Sequence, residues 1–411
     1  MVINKIYEKT LAYFAYGLLA IDTVNGFFLQ VFKIDIKISI LYKSAFIFIG
    51  LIYLSRVNFR LFLISCLFIF YIVSWAFIQS IIGSGSYLLT DLGEGLKLIS
   101  TILIFNIFSC FYNLDCCRFA VKFVIISSII IVFNIVMSIL GVGFSSYGAF
   151  GAKGFFYGAN ALSGLEVIFG TFILAYYFPK GKIKYLTVIF ALLFVGIVVG
   201  TKSGVLGLLL SSLLIPLYYF KFNIKNVFKF LAVMILAVIF GVLVFEYIQD
   251  SSMITRILYF YETGGLTRAL LSDRDTFFSA IYPLFIDLDF FRLLFGFGFE
   301  QLQNFEKITV EIDPIDIIFI FGLMSFFFYG VFILLTIKLA LLPLDNNDYV
   351  IKYFICCVTI STSILILISF VAGHILFNGF VTYVWGIVLA FPKWRYNNLN
   401  HFTSGVNNAR K

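Results

Sequence analysis

The chain has 411 residues, 62% of them hydrophobic and 12% charged, which is more apolar surface than a soluble protein of this length buries in a core. Aromatic residues reach 20%, with 54 Phe and 24 Tyr, in apolar runs that do not alternate with polar residues, which excludes a β-barrel in favour of membrane helices. The net charge of +8 then reads as basic cytoplasmic loops and not as a surface for nucleic acid.

A membrane span takes roughly 20 apolar residues. Twelve runs meet that length, with cores at 11–30, 38–55, 61–80, 91–110, 120–140, 160–178, 185–200, 203–220, 230–248, 315–337, 351–371 and 374–391. The expected fold is all-α: a polytopic integral membrane helix bundle of about 12 transmembrane helices, residues 1–411 forming a single transmembrane domain. The polar start, with Lys5 and Lys9, leads into an apolar run that is too long for a removable leader, so it reads as a first span. The spans around Lys202 share only 36 residues and must be short, tilted or partly shielded by neighbours. Cys66, Cys110, Cys116, Cys117, Cys356 and Cys357 lie in spans or a short loop, with neither zinc spacing nor a disulfide framework.

With the N-terminus inside, 18 of the 29 basic residues fall in cytoplasmic segments, and five of the other 11 lie in one long loop that is exempt from the charge rule by its length. Both termini are then cytoplasmic. The loops at 31–37, 81–90, 141–159, 201–203, 249–314 and 372–373 share the opposite face. No internal repeat or inverted half of the kind common in secondary transporters is legible.

The long loop, 249–314, holds 15 of the chain's 50 charged residues. Ser272 or Asp273 is placed to cap a short surface helix carrying Phe277, Phe278 and Ile281, which Pro283 ends or kinks. Gly296 to Phe299 reads as a glycine turn and lacks the third glycine of a nucleotide fingerprint.

Eight residues stand out for chemistry, each with a plainer alternative. Lys202 lies between Gly200 and Gly204 at a span end, either snorkelling beside a packing pair of small residues or facing an anionic ligand. Arg268 and Arg274 are solvated or locally paired, or use their planar forks on phosphate. Glu311, Asp313 and Asp316 surround Pro314, where an ordinary helix N-cap competes with a buried acid. His374 opens the last apolar run as a packed histidine or a functional one. Lys153 lies in a glycine-rich, phenylalanine-rich segment that also suits an interfacial turn.

The stretches 151–163, 200–210, 271–299 with Asp-Arg-Asp and Leu-Phe-Gly-Phe-Gly, 310–322 and 373–379 together resemble the Wzy-type O-antigen polymerase and O-antigen ligase superfamily. In that superfamily a late, large periplasmic loop follows a hairpin that carries a basic residue. The resemblance implies a metal-independent, cofactor-free glycosyltransferase of the bacterial inner membrane, with the 249–314 loop periplasmic and containing short helices. Its partners would be oligosaccharides linked to undecaprenyl diphosphate, membrane lipid and a chain-length regulator protein. The diphosphate would leave against Lys202, Arg268 and Arg274, with Lys153 as a further cation. Glu311 or Asp313 would take the proton of the attacking hydroxyl, with Asp316 and His374 as second choices.

Two departures from the pattern matter. The hairpin position is commonly arginine in relatives and here is Lys202, a point charge and not a fork. Where ligases place a histidine, this chain has Glu311-Ile312-Asp313, which favours a repeat-unit polymerase over a ligase. The remaining alternatives are the ligase itself and a non-enzymatic flippase.

Overall fold

A computed structural model describes residues 2–83, 85–147, 150–156, 158–220, 252–286, 289–303, 309–342 and 348–408. The expected span at 230–248 lies outside these residues. The first half runs through α1 (Val2–Phe27), α2 (Ile38–Val57), α3 (Phe59–Ile82), α4 (Leu88–Phe108) and α5 (Cys116–Ile139). A short antiparallel hairpin, β1 (Phe144–Tyr147) and β2 (Phe150–Gly154), leads to α6 (Ala159–Tyr177), α7 (Lys182–Val199) and α8 (Lys202–Phe220). Beyond residue 251 come α9 (Ser252–Leu271), α10 (Arg274–Ile286), α11 (Phe290–Phe295) and α12 (Gly298–Leu302), then α13 (Asp313–Leu341), α14 (Tyr349–Val371) and α15 (Val381–Asn408).

Nine of the described helical segments are long and apolar enough to cross a membrane. Large apolar side chains such as Ile129, Phe133, Phe194, Phe327 and Leu334 stay exposed on the outside of the bundle, as lipid-facing residues do. Side-chain oxygens set several helix starts: Asn58 accepts from Leu61 N, Asp115 from Cys117 N and Asp348 from Ile351 N.

Two expected spans differ in kind from the rest. Helix α4 carries Asp91, Glu94 and Lys97 in its first half, while every residue from Leu98 to Phe108 is buried. The last helix begins at Val381 and not at His374, because residues 372–380 form an irregular segment. Helices α4 and α15 pack along each other at the centre of the bundle. Contact this close needs Gly386, where a methyl would lie 2.7 Å from the Thr101 carbonyl oxygen. Thr101 and Ser100 hydrogen-bond Thr382 across this seam. Around the pair, α6, α8 and α14 pack on one side and α1, α2 and α3 form a second row.

Three local expectations change. Pro283 sits inside α10, which continues to Ile286, so it does not end that helix. The segment around Lys153 is a strand and not a turn; Asn134 Oδ1 accepts from Phe155 N and pins the end of the hairpin to α5. Helix α13 is interrupted at Gly322, whose φ of 84° belongs to the left-handed region. The 294–296 backbone fills that break: Phe297 N donates to Phe319 O, and a methyl at Gly322 would lie 2.1 Å from Leu294 O. Trp75 Nε1 and Gln79 Nε2 both donate to Phe295 O, so α3 holds the same loop from its other side. Of the expected turn from Gly296 to Phe299 only Gly296 and Phe297 lie between helices, because Gly298 and Phe299 already open α12; Gly296 and Gly298 both have positive φ.

Candidate functional site

A cavity of about 570 Å³ opens where five separate segments meet. Asn160 comes from the start of α6, Gly200 to Ser203 from the α7–α8 turn, Leu270 to Phe277 from the α9–α10 junction, Glu311 from the approach to α13, and Val371 and Ala372 from the end of α14. All five belong to regions that the charge pattern assigns to one face. One wall is polar, with Lys202, Ser272, Asp273, Arg274 and Glu311; the other is apolar, with Leu206, Leu210, Ile364, Leu367 and Ile368.

Turn geometry delivers the cations. Gly200 ends α7 at φ 77°, in the left-handed region a glycine enters without strain, and Lys202 follows in the first turn of α8. Its ammonium donates to the Ala269 carbonyl at 2.7 Å and to Ser272 Oγ at 3.1 Å. Arg274 opens α10 and is 7% exposed. Its guanidinium donates to Leu271 O at 2.9 Å, to Ala372 O at 3.1 Å and to the Glu311 carboxylate at 2.9 Å. Its Nε is buried without a hydrogen-bond partner among the described residues.

The rim is strained. Six non-glycine residues among those described have positive φ, and four of them, Ser272, Asp273, Glu311 and His374, stand on or beside this cavity. A non-glycine residue held in that region costs on the order of 1 kcal/mol or more, and such residues collect where a scaffold is held for a purpose. Gly373 makes one of them possible, since a methyl there would lie 2.3 Å from the Glu311 carbonyl oxygen.

The other sequence candidates have different surroundings. Asp313 is fully buried and does not line the cavity; its carboxylate accepts from the backbone N–H groups of His374, Ile375 (2.7 Å) and Leu376 (2.8 Å). It is the clamp that fixes the irregular 372–380 segment, and His374 takes part through its backbone. Asp316 accepts from Val310 N at 2.6 Å, closing the loop onto the start of α13, while its Oδ2 has no partner among the described residues. Arg268 pairs with Asp273 and Asp275 at 3.5 and 3.4 Å and lies outside the cavity lining. Lys153 is on β2, with its ammonium over the Phe144 ring at 5.6 Å, also away from the lining. Burial lowers the Lys153 ammonium below its ordinary pKa.

Two residues in or next to the site, Asn160 in the cavity lining and Glu166 outside it, have no counterpart among the sequence candidates. Asn160 donates to Ala372 O at 2.9 Å and ties α6 to the end of α14. Glu166, one turn and a half further along α6, is 6% exposed and has no hydrogen-bond partner on either carboxylate oxygen among the described residues. The signal for Glu166 was present in the sequence, as the lone carboxylate of the 160–178 apolar run.

What the arrangement can do chemically follows from its two walls. Two cations and a carboxylate at the end of an apolar slot suit an amphipathic anion, with the charged head held by Lys202 and Arg274 and a hydrocarbon chain along Leu206, Leu210, Leu367 and Ile368. No protein-family model matches this sequence, and no curated protein matches it.

Proposed function

We propose that this chain is a membrane glycosyltransferase of the repeat-unit polymerase kind, joining oligosaccharides carried on undecaprenyl diphosphate outside the bacterial inner membrane. The observation that supports it best is the cavity itself, with a cationic end, an apolar wall and a carboxylate within hydrogen-bond reach of the buried arginine.

In this reading the lipid diphosphate lies between Lys202 and Arg274, and its prenyl chain follows the α8 and α14 side chains. The hydroxyl of a second, incoming oligosaccharide attacks the anomeric carbon, the bond from that carbon to the diphosphate oxygen breaks, and the lipid diphosphate leaves with both electrons. Lys202 and Arg274 stabilise the charge that grows on the leaving group. Glu311 takes the hydroxyl proton. Among the acids around Pro314 it alone lines the cavity, whereas Asp313 is engaged by three backbone donors. Asp313 is therefore assigned a positioning role, holding residues 374–376 against the site.

The test is the surface-polysaccharide ladder on a gel, in a deletion strain and in the same strain carrying the gene. Collapse to core plus one repeat, restored by the wild-type gene and not by Arg274→Ala, supports the polymerase. Long polymer left unattached to its lipid acceptor would instead mark a ligase. Repeat units trapped on the cytoplasmic face would mark a flippase and remove the transferase reading.

A further inference from the structure

Below the cavity floor lies a second polar niche that the transfer chemistry does not use. Glu166, Ser163 and Thr201 are 6%, 0% and 2% exposed, and they converge over Gly204. A methyl placed on residue 204 would lie 2.8 Å from Glu166 Oε2, 2.8 Å from Thr201 Oγ1 and 3.1 Å from Ser163 Oγ. The three oxygens crowd the same side of Gly204, close enough that only a residue without a side chain fits at that position.

The hydrogens in this niche are already committed. Ser163 Oγ donates to the Ala159 carbonyl at 3.1 Å, so the hydrogen shared between Ser163 and Thr201 comes from Thr201. Thr201 Oγ1 in turn accepts from Gly204 N at 3.3 Å. No hydrogen is left for Glu166, and both of its oxygens lack a partner among the described residues. What remains is a set of lone pairs: about four on the carboxylate and one on each hydroxyl. Such a set calls for a proton on the carboxyl or a bound cation beside it, since an uncompensated carboxylate at membrane depth is costly.

We propose that Glu166, Ser163 and Thr201 bind a single monovalent alkali cation, sodium in the first instance. One carboxylate balances one positive charge, whereas calcium and magnesium sites take more charged oxygens or several waters. The cation sits beneath the turn that presents Lys202: Thr201 touches both the niche and the cavity lining. Occupancy therefore holds the 200–204 turn in the form that aims Lys202 at Ala269 and Ser272. This inference rests on the niche alone and stands whether or not the cavity belongs to a polymerase.

The experiment is thermal unfolding of the purified full chain in detergent, titrated with sodium chloride against choline chloride at constant ionic strength and pH. The wild type is expected to show a saturable rise in midpoint of about 3 °C or more with sodium. Glu166→Gln should abolish the rise. Gly204→Ala, which keeps the carboxylate and fills the niche with a methyl, should abolish it too and covers the case in which Glu166→Gln does not fold. Ser163→Ala should shift the titration to higher sodium. A wild-type midpoint that is equal in the two salts overturns the proposal, as does a midpoint that follows pH and ignores sodium, or a sodium response that both Glu166→Gln and Gly204→Ala retain.

Discussion

Asp313 opens α13 and Glu166 lies near the middle of α6; both are buried carboxylates, and their surroundings differ completely. Asp313 receives three backbone N–H groups from residues 374–376, and each of those donors would otherwise be buried without an acceptor. Glu166 receives none among the described residues. A carboxylate whose lone pairs are met by backbone donors has its negative charge spread over fixed dipoles and acts as a structural clamp. One that faces hydroxyl lone pairs keeps its charge available for something that is not part of the chain. Burial is the same in the two cases, so burial alone does not tell a structural acid from a binding one.

The sharpest way to break this contrast is to exchange the charge at both sites. Asp313→Ala leaves three buried donors unmet, each costing about 1–3 kcal/mol. Loss of folded protein, or a fall in thermal midpoint of about 4–10 °C, is expected when the variant is purified and melted. Glu166→Gln in choline chloride should show a midpoint equal to or above the wild type, because it removes a charge with no protein partner. A large drop in the glutamine variant would show that Glu166 has a hidden structural donor.

The cavity gives the next effects. Arg274→Ala takes away a fork that holds Leu271 O, Ala372 O and Glu311, and under the proposed polymerase function a loss of polymer synthesis of about 100-fold or more is expected with purified protein and lipid-linked substrate. Arg274→Lys should rescue only a small part, since one ammonium cannot satisfy those three acceptors in the same plane. Lys202→Ala should cost less, on the order of 10-fold, and Lys202→Arg should retain most activity. Equal rates in the Arg274→Ala variant and the wild type would detach the arginine from the reaction.

The smallest effect lies far from both acids. Burial alone would raise the Asp348 carboxyl, but the hydrogen bond and charge of Arg395, with the Ile351 and Val350 N–H groups, outweigh it and hold the pKa below its ordinary value. A depressed folded-state pKa means that this carboxylate adds stability above its unfolded pKa, and the contribution is lost as pH falls through the lower folded value. The wild-type midpoint should therefore decline below about pH 4 more steeply than that of Asp348→Asn. Identical acid limbs for the two proteins would show that the pair contributes nothing.

Much of the site could be read from residue types. Lys202, Arg274 and Glu311 meet in one cavity, as charged residues placed by topology on a shared face should. The sequence did not separate Glu311 from Asp313, two positions apart, because the separation depends on where residues 374–376 pass. Arg268 and Lys153 carried the same phosphate-binding chemistry as Arg274, yet one is neutralised by Asp273 and Asp275 and the other stands on a hairpin beside Phe144. A residue's charge is a local property, whereas which partner it meets is set by backbone geometry, whether that partner lies five positions on, as for Arg268 and Asp273, or 98, as for Arg274 and Ala372.

The same division holds for the fold. Apolar run length and composition determined by themselves that the chain is a bundle of membrane helices, because a span must satisfy its backbone within itself and so follows from local sequence. Tertiary structure decided which glycines interrupt helices and which let them touch. Gly322 breaks α13 because the Leu294 carbonyl passes against it, while Gly386 lets α15 lie on α4 without a break. It also decided that Asp313 would meet the amides of residues 374–376, some sixty positions away, and that Thr201, from the α7–α8 turn, would lie beside the Glu166 and Ser163 of α6, since only packing brings those segments together.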